Sequence, residues 1–199
     1  MRATPTKTLK AAPMTYPEIY ILRHGQTAWN LEGRMQGELN SALTEQGKQE
    51  AARQGEILAQ CDLTGFAFVS SPQGRAVQTA GIACAPLADF MRTDDRLREI
   101  GVGDWSGMLR DTLPLPDAPD PFMAQYEIAP NGEGIAAVQA RCRSFLHDLK
   151  GPAVLVTHGV TGRTLREILA GPEAIKGTTI HGGQGCVYHL KNGSQNLLT

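Results

Sequence analysis

Three short, nearly continuous apolar runs punctuate the chain, at residues 18–22, 66–70 and 153–157, and each is followed by a turn or helix signal. Apolar, β-branched runs of this length suit strands covered on both faces, so they read as parallel strands at the centre of a sheet. Between the first two, Thr44 is placed to cap a helix beginning at Glu45, and Ala51, Gly55 and Leu58 recur at helical spacing to give it a packing face. Ser71 followed by Pro72 reads as the start of a helix leaving the second run, because serine can accept free amides and proline has no N–H to leave unpaired there. Over residues 132–149, Ile135, Val138, Cys142, Phe145 and Leu149 share one helical face, with Arg141, Arg143 and Asp148 elsewhere on the circumference. Residues 160–170 read as a helix closed by Gly171-Pro172, and residues 186–190 as a late edge strand.

This alternation predicts an α/β three-layer sandwich, a mainly parallel central sheet with helices on both faces. Ligands of such sheets gather beyond the carboxyl ends of the strands. One stretch breaks the rhythm: residues 108–131 carry Pro114, Pro116, Pro119, Pro121 and Pro130 with little periodicity, and read as a long loop or lid. The 199 residues, 41% of them hydrophobic, suffice for one core rather than two, so residues 18–199 are taken as a single catalytic domain. Residues 1–17 hold Arg2, Lys7 and Lys10 but no carboxylate and no apolar signal core, and read as a flexible extension, with Met14 as an alternative start.

A formal net charge of -1 offers no broad electropositive field, which argues against nucleic acid and anionic membrane surfaces as partners, so any grip on an anion must be local. No run approaches the roughly 20 apolar residues of a membrane span. The four cysteines, Cys61, Cys84, Cys142 and Cys186, form no C-x-x-C pair, which fits small buried side chains in a reducing cytoplasm rather than a zinc or redox site. Metal-ligand spacings such as H-x-x-x-H are absent, so neither metal nor cofactor is expected.

The chemistry lies at the strand exits. The first run leaves through Arg23-His24-Gly25, the second through Ser71-Pro72-Gln73-Gly74-Arg75 and the third through Thr157-His158-Gly159. In a parallel sheet these exits converge, bringing two arginines and two histidines to one pocket. Guanidinium forks match phosphate oxygens, and phosphoryl transfer spreads charge over equatorial oxygens that need fixed donors. A histidine kept neutral by a neighbouring arginine offers a ring nitrogen able to attack phosphorus. The spacing alone does not say which histidine attacks. Glu99, in the glycine-rich stretch 97–105 beside Trp105, is the candidate acid for the departing oxygen.

Residues 23–30, Arg-His-Gly-Gln-Thr-Ala-Trp-Asn, resemble the R-H-G-x-T-x-W-N signature of the histidine phosphatase (phosphoglycerate mutase-like) superfamily. Gly33 to Gly37, Leu43-Thr44, Ser70 to Ala76 with Gln78-Thr79-Ala80, and Thr157-His158-Gly159 resemble its later motifs in the same order. The resemblance implies that His24 is the phosphorylated nucleophile. It implies also that Arg23, Arg75 and His158 hold the phosphoryl oxygens and that Glu99 gives and then takes a proton. Asn30, Gln36, Gly37, Thr27 and Gly159 are expected at the substrate, which would be a small phosphorylated metabolite.

The chain departs from the family's pattern at Asn40, Ala42 and Ser106, and at Gly134, where relatives commonly carry serine after G-E. Glu133 is taken as either a helix-start acid or a substrate contact. Arg163 and Arg166 are assigned to a solvated helix face, with Arg163 as an alternative substrate contact. His147 and His189 are expected to be structural, and His181 is a lesser candidate for the substrate mouth. Three functions compete: a phosphomonoesterase, favoured because the stretch 107–132 is short; a phosphoglycerate mutase; and a silent phospho-ligand binding module. A metallohydrolase would need the missing ligand spacing.

Overall fold

The three apolar runs are adjacent strands. In the computed structural model, which describes residues 16–175 and 183–199, β1 (Ile19–Arg23) and β2 (Ala67–Ser70) frame an element that comes later in the chain, Ala153–Thr157. Another strand, β3 (Met91–Thr93), lies outside β2, and Ala153–Thr157 is accordingly β4. Beyond β1 come β5 (Val187–Lys191) and β6 (Ser194–Leu198), giving the order β3-β2-β4-β1-β5-β6. The first four in that order run parallel, whereas β5 and β6 are antiparallel to their neighbours.

The expected edge strand near residue 190 is therefore an inner one. Its outer partner β6 is polar and mostly exposed, so it carries no apolar strand pattern. Its signal was nonetheless present: Asn192 and Gly193 both take positive φ, 52° and 74°, as a two-residue hairpin turn requires.

The helices are α1 (Ala28–Leu31), α2 (Glu45–Leu58), α3 (Gly74–Ala83), α4 (Pro121–Glu127), α5 (Ile135–Asp148) and α6 (Gly159–Ala170). Successive strand residues face opposite layers. Tyr20, Leu22, Phe68, Val154 and Val156 pack with Leu58 of α2 and with Ala76, Ala80 and Ala83 of α3. Ile19, Ile21, Val69 and Leu155 pack with Val138, Cys142 and Phe145 of α5 and Val160 and Leu165 of α6. Both faces are thus covered, as the unbroken apolar strands require.

Several expectations need correction. Ser71 does not cap α3, which starts three residues later with Gln73 at its N-cap and no side-chain capping bond. Instead the Ser71 hydroxyl lies 2.7 Å from His158 Nε2 and accepts a bond from Gln73 N. The stretch 108–131 is not all loop, since Asp120 caps α4 within it and a 3-10 turn spans Arg110–Thr112. Arg166 is not solvated: it is buried, with its guanidinium 3.8 Å from the centre of the Tyr188 ring. Residues 1–15 of the expected extension lie outside the described residues, while Tyr16 packs against the core. Among the described residues no helix is long and apolar enough to cross a membrane.

A close backbone contact fixes the loop that follows β1. A Cβ on Gly25 would fall 2.0 Å from the Gly47 carbonyl oxygen, and one on Gly47 would fall 2.0 Å from that of Gln26. Only a pair of glycines permits this approach. It seats the first turn of α2, capped by Thr44 through Gly47 N, directly against the residues after His24.

Candidate active site

The register of the sheet sets the site. Arg23 pairs with Thr157 across β1 and β4, and Ser70 with Val156 across β2 and β4, so His24, Ser71 and His158 all leave the same edge. The rings of His24 and His158 are 5.2 Å apart, edge to face. Both are buried, with 3% and 1% of their surface exposed.

Hydrogen bonds orient His24. Its Nδ1 lies 2.8 Å from the Gly25 carbonyl oxygen, which can only accept, so the ring proton is on Nδ1. Nε2 then carries the lone pair and accepts from Arg75 Nε at 3.3 Å. Burial first, then the Arg75 and Arg23 charges, hold the His24 pKa well below the usual histidine value. His158 is likewise depressed by burial and by Arg75, but its Nε2 is engaged by Ser71.

Arg75 is almost wholly buried and donates to the carbonyls of Leu39 (2.6 Å) and Gly37 (2.9 Å) as well as to His24. Burial brings its pKa down to about 10, opposed by the Glu99 charge, so it remains a cation at neutral pH. Burial also lowers the pKa of Arg23. Glu99 sits across the cavity at the start of α6. Its Oε2 accepts from Gly159 N and Val160 N, and its Oε1 from Thr161 N and Ile100 N. Glu99 thereby closes the free amides of the first turn of α6. Gln73 ties the two walls together, accepting from Glu99 N at 2.7 Å and donating to Gly37 O at 2.9 Å.

These side chains surround a cavity of about 270 Å³. Its walls include Arg23, His24, Arg75 and Glu99, and also Asn30, Gln36, Gly37 and Gly159. A sequence model of the histidine phosphatase superfamily (branch 1) matches residues 19–197. The chain belongs to that superfamily.

The relatives of this histidine phosphatase superfamily member carry two kinds of name. It is 33% identical over 191 residues to phosphoglycerate mutase-like protein 4 of Arabidopsis thaliana, covering 90% of this chain and 82% of that one. It is 34% identical over 158 residues to glucosyl-3-phosphoglycerate phosphatase of Mycobacterium tuberculosis, covering 71% and 70%. The structure of the mycobacterial glucosyl-3-phosphoglycerate phosphatase with VO3 superposes with a TM-score of 0.73 at 31% identity, covering 91% of this chain and 96% of that one.

Two residues expected at the substrate do not line the cavity. Thr27 is fully buried, capping α1 through Asn30 N and accepting from Gln36 Nε2, so it supports the wall rather than forming it. His158 stands edge to face with His24, its Nε2 against the Ser71 hydroxyl. The cavity also gains Gln26, Gly33, Arg34, Arg110, Tyr126 and Gln184. Gln184 donates to His24 O and Asn30 Oδ1, each at 3.3 Å.

The remaining candidates divide clearly. Glu133 pairs with Arg141 at 2.6 Å and accepts from Gly101 N, a structural tie and not a helix-start bond. Arg163 bridges Asp120, the N-cap of α4 (2.7 Å), and Glu167 of α6 (3.2 Å) and is not on a solvated face. His147 is exposed beside Asp148, and His189 pairs with Glu18 at 2.6 Å while stacking on Tyr20. His181 lies outside the described residues.

Proposed function

We propose that this protein is a phosphomonoesterase acting on a small phosphorylated metabolite through a phosphohistidine on His24. The observation that carries the proposal is the fixed tautomer of His24: a buried ring whose Nδ1 proton is held by Gly25 O, leaving the Nε2 lone pair beside Arg75 at the wall of a cationic cavity. Nε2 attacks phosphorus in line, and the ester P–O bond breaks as Glu99, which enters this step carrying a proton brought in by the phosphomonoester monoanion, gives that proton to the departing alkoxide. Water then attacks the phosphohistidine, the P–N bond breaks, and Glu99 takes the water's proton. The products are an alcohol and inorganic phosphate. Arg23 and Arg75 hold the equatorial oxygens, and His158, edge to face with His24 and tied to Ser71, holds the His24 ring in place.

The names of the relatives also favour a second reading, a phosphoglycerate mutase that returns the group to a different hydroxyl. One experiment separates the two. Purified protein is incubated with a panel of phosphomonoesters, and separately with 3-phosphoglycerate and a 2,3-bisphosphoglycerate primer. Phosphate release from monoesters, an acid-labile label on His24 and loss of turnover by at least about a thousandfold in His24→Ala are expected. Rapid isomerisation without phosphate release would replace the phosphatase by the mutase. Tight binding of phosphate without label or turnover would leave only a binding module.

A further inference from the structure

Glu99 stands on a loop with no helix or strand of its own to hold it. Between the 3-10 turns Asp95–Leu97 and Gly103–Trp105 the chain is irregular, and side chains from other elements take up its backbone groups. Arg141 of α5 donates from Nη1 to Arg96 O at 2.6 Å, Thr157 of β4 donates to Leu97 O at 2.8 Å, and Thr161 of α6 donates to Arg98 O at 2.5 Å. Gln73 Oε1 accepts from Glu99 N at 2.7 Å, and Glu133 Oε2 accepts from Gly101 N at 3.1 Å. The backbone is thus fixed on both sides of Glu99.

Several of these ties meet at Arg141. Its Nη1 holds Arg96 O, its Nε donates to Glu133 Oε1 at 2.6 Å, and its Nη2 reaches Glu133 Oε2 at 3.2 Å and Thr161 Oγ1 at 3.3 Å. A guanidinium can only donate, so it makes the Thr161 hydroxyl an acceptor on that side and turns the hydroxyl's single proton the other way. There lie Arg98 O and, at 3.3 Å, Glu99 Oε1. Arg141 does not line the cavity, and its side chain is only 17% exposed. A largely buried ion pair adds little to stability against an apolar replacement, and its best-attested use is to fix one arrangement of the parts it joins. The parts joined here are the start of α6, the residues before α5 and the loop that carries Glu99.

We propose that Arg141 is a positioning residue for the proton transfer at Glu99, holding the 96–101 loop so that the carboxyl group stands within reach of the departing oxygen without itself touching the substrate. The inference rests on the phosphomonoesterase reading above and deepens it. A general acid must lie within hydrogen-bond reach of the atom it protonates, and a displacement of about 1 Å imposed from a distance costs on the order of a hundredfold.

The dependence on leaving group tests this in the full chain. A p-nitrophenolate departs without a proton, whereas the alkoxide of phenethyl phosphate needs one. We compare kcat/KM for p-nitrophenyl phosphate and phenethyl phosphate, because that parameter ends with release of the alcohol, before Glu99 acts on water. Arg141→Met should lower kcat/KM for phenethyl phosphate by about tenfold or more and that for p-nitrophenyl phosphate by less than about threefold. Glu99→Gln should show the same split, with a loss of about a hundredfold or more on phenethyl phosphate. Arg141→Lys, which keeps the charge but not the fork, should fall between wild type and Arg141→Met. An equal loss on both esters in Arg141→Met, or no loss on either, would overturn the inference while leaving the phosphatase intact. Should Arg141→Met lose its cooperative unfolding transition, Arg141→Lys decides by the same comparison, and an equal loss or none overturns the inference there too. Without a split in Glu99→Gln, Glu99 is not the acid and the inference falls with that assignment. A wild type that cleaves no monoester, these two included, sinks the phosphatase reading first and this inference with it.

Discussion

His24 and His158 are both buried, both at strand exits and both close to Arg75, yet their hydrogen bonds distinguish them. The Gly25 carbonyl fixes the proton of His24 on Nδ1, whereas Ser71 occupies the Nε2 of His158. The sequence showed two equivalent imidazoles, because one chain gives no information on which nitrogen a distant hydroxyl or carbonyl engages. The legible part of the site was the part attached to strands: Arg23, His24, Arg75 and His158 follow from where apolar runs end. Arg34, Arg110, Tyr126 and Gln184 come from loops, and their place at the cavity depends on tertiary contacts such as the bond from Arg110 N to Gly33 O. A prediction follows for His24 itself. Because burial and two arginines lower its pKa, the ring stays neutral as pH falls through the ordinary value near 6.5. The His24 Cε1–H resonance, assigned by its loss in His24→Ala, should be flat from pH 8 to pH 6. A midpoint near 6.5 would contradict the assignment. Arg75→Met removes the nearest cation and should move the midpoint upward.

At the scale of elements, the start of α5 shows how one departure from the family's pattern is accommodated. Gly134 occupies the N-cap at φ 75° and ψ 153°, a conformation almost closed to residues with a Cβ, and it makes no side-chain capping bond. The first amide of the helix, Ile135 N, is instead satisfied by Glu127 Oε2 at 2.8 Å, from the last turn of α4. The serine common in relatives could not simply be restored. Gly134→Ser is expected to lower stability by about 1–3 kcal/mol, read as a shift of the urea midpoint at constant slope. Glu127→Ala should cost about 1 kcal/mol by removing the borrowed cap. If Gly134→Ser is neutral and abolishes the effect of Glu127→Ala, the serine has taken over the cap through a rearranged loop. The helix α4 that supplies this carboxylate was hidden in the sequence by flanking prolines. Pro121 is in fact its first residue, a position where proline's missing N–H costs nothing. The buried Arg166 misled for a related reason: an arginine on an amphipathic helix looks solvated until an aromatic ring such as Tyr188 is known to cover it.

For the molecule as a whole, the sheet was legible because burial on both faces demands unbroken apolar strands, and β1, β2 and β4 obey that rule. The antiparallel margin was less so, since β6 is exposed and its sequence is under little apolar constraint. The same burial that organises the sheet also makes the fold sensitive to acid. His24 and His158 are neutral when folded, while in the unfolded chain both bind protons below about pH 6.5. The unfolded state therefore holds more protons than the native state in that range, and stability must rise with pH. Seen from the other side, stability is lost as pH drops below about 6.5, by on the order of 1 kcal/mol per pH unit for each histidine. The carboxylates whose pKa values are lowered act in a separate window. Asp94, held down by Arg96, and Glu18, held down by Lys191 and His189, lose their contributions only below their ordinary values of 3.8 and 4.5. Urea midpoints measured at pH 7.5, 6.5 and 5.5 should thus fall steeply over the last interval, before those acids titrate. A His24→Gln, His158→Gln double variant, unable to take up these protons when unfolded, should show a much shallower fall. A flat wild-type profile between pH 6.5 and 5.5 would mean that the two rings gain their protons in the folded state, and that the native cavity does not hold the neutral His24 that the proposed mechanism requires.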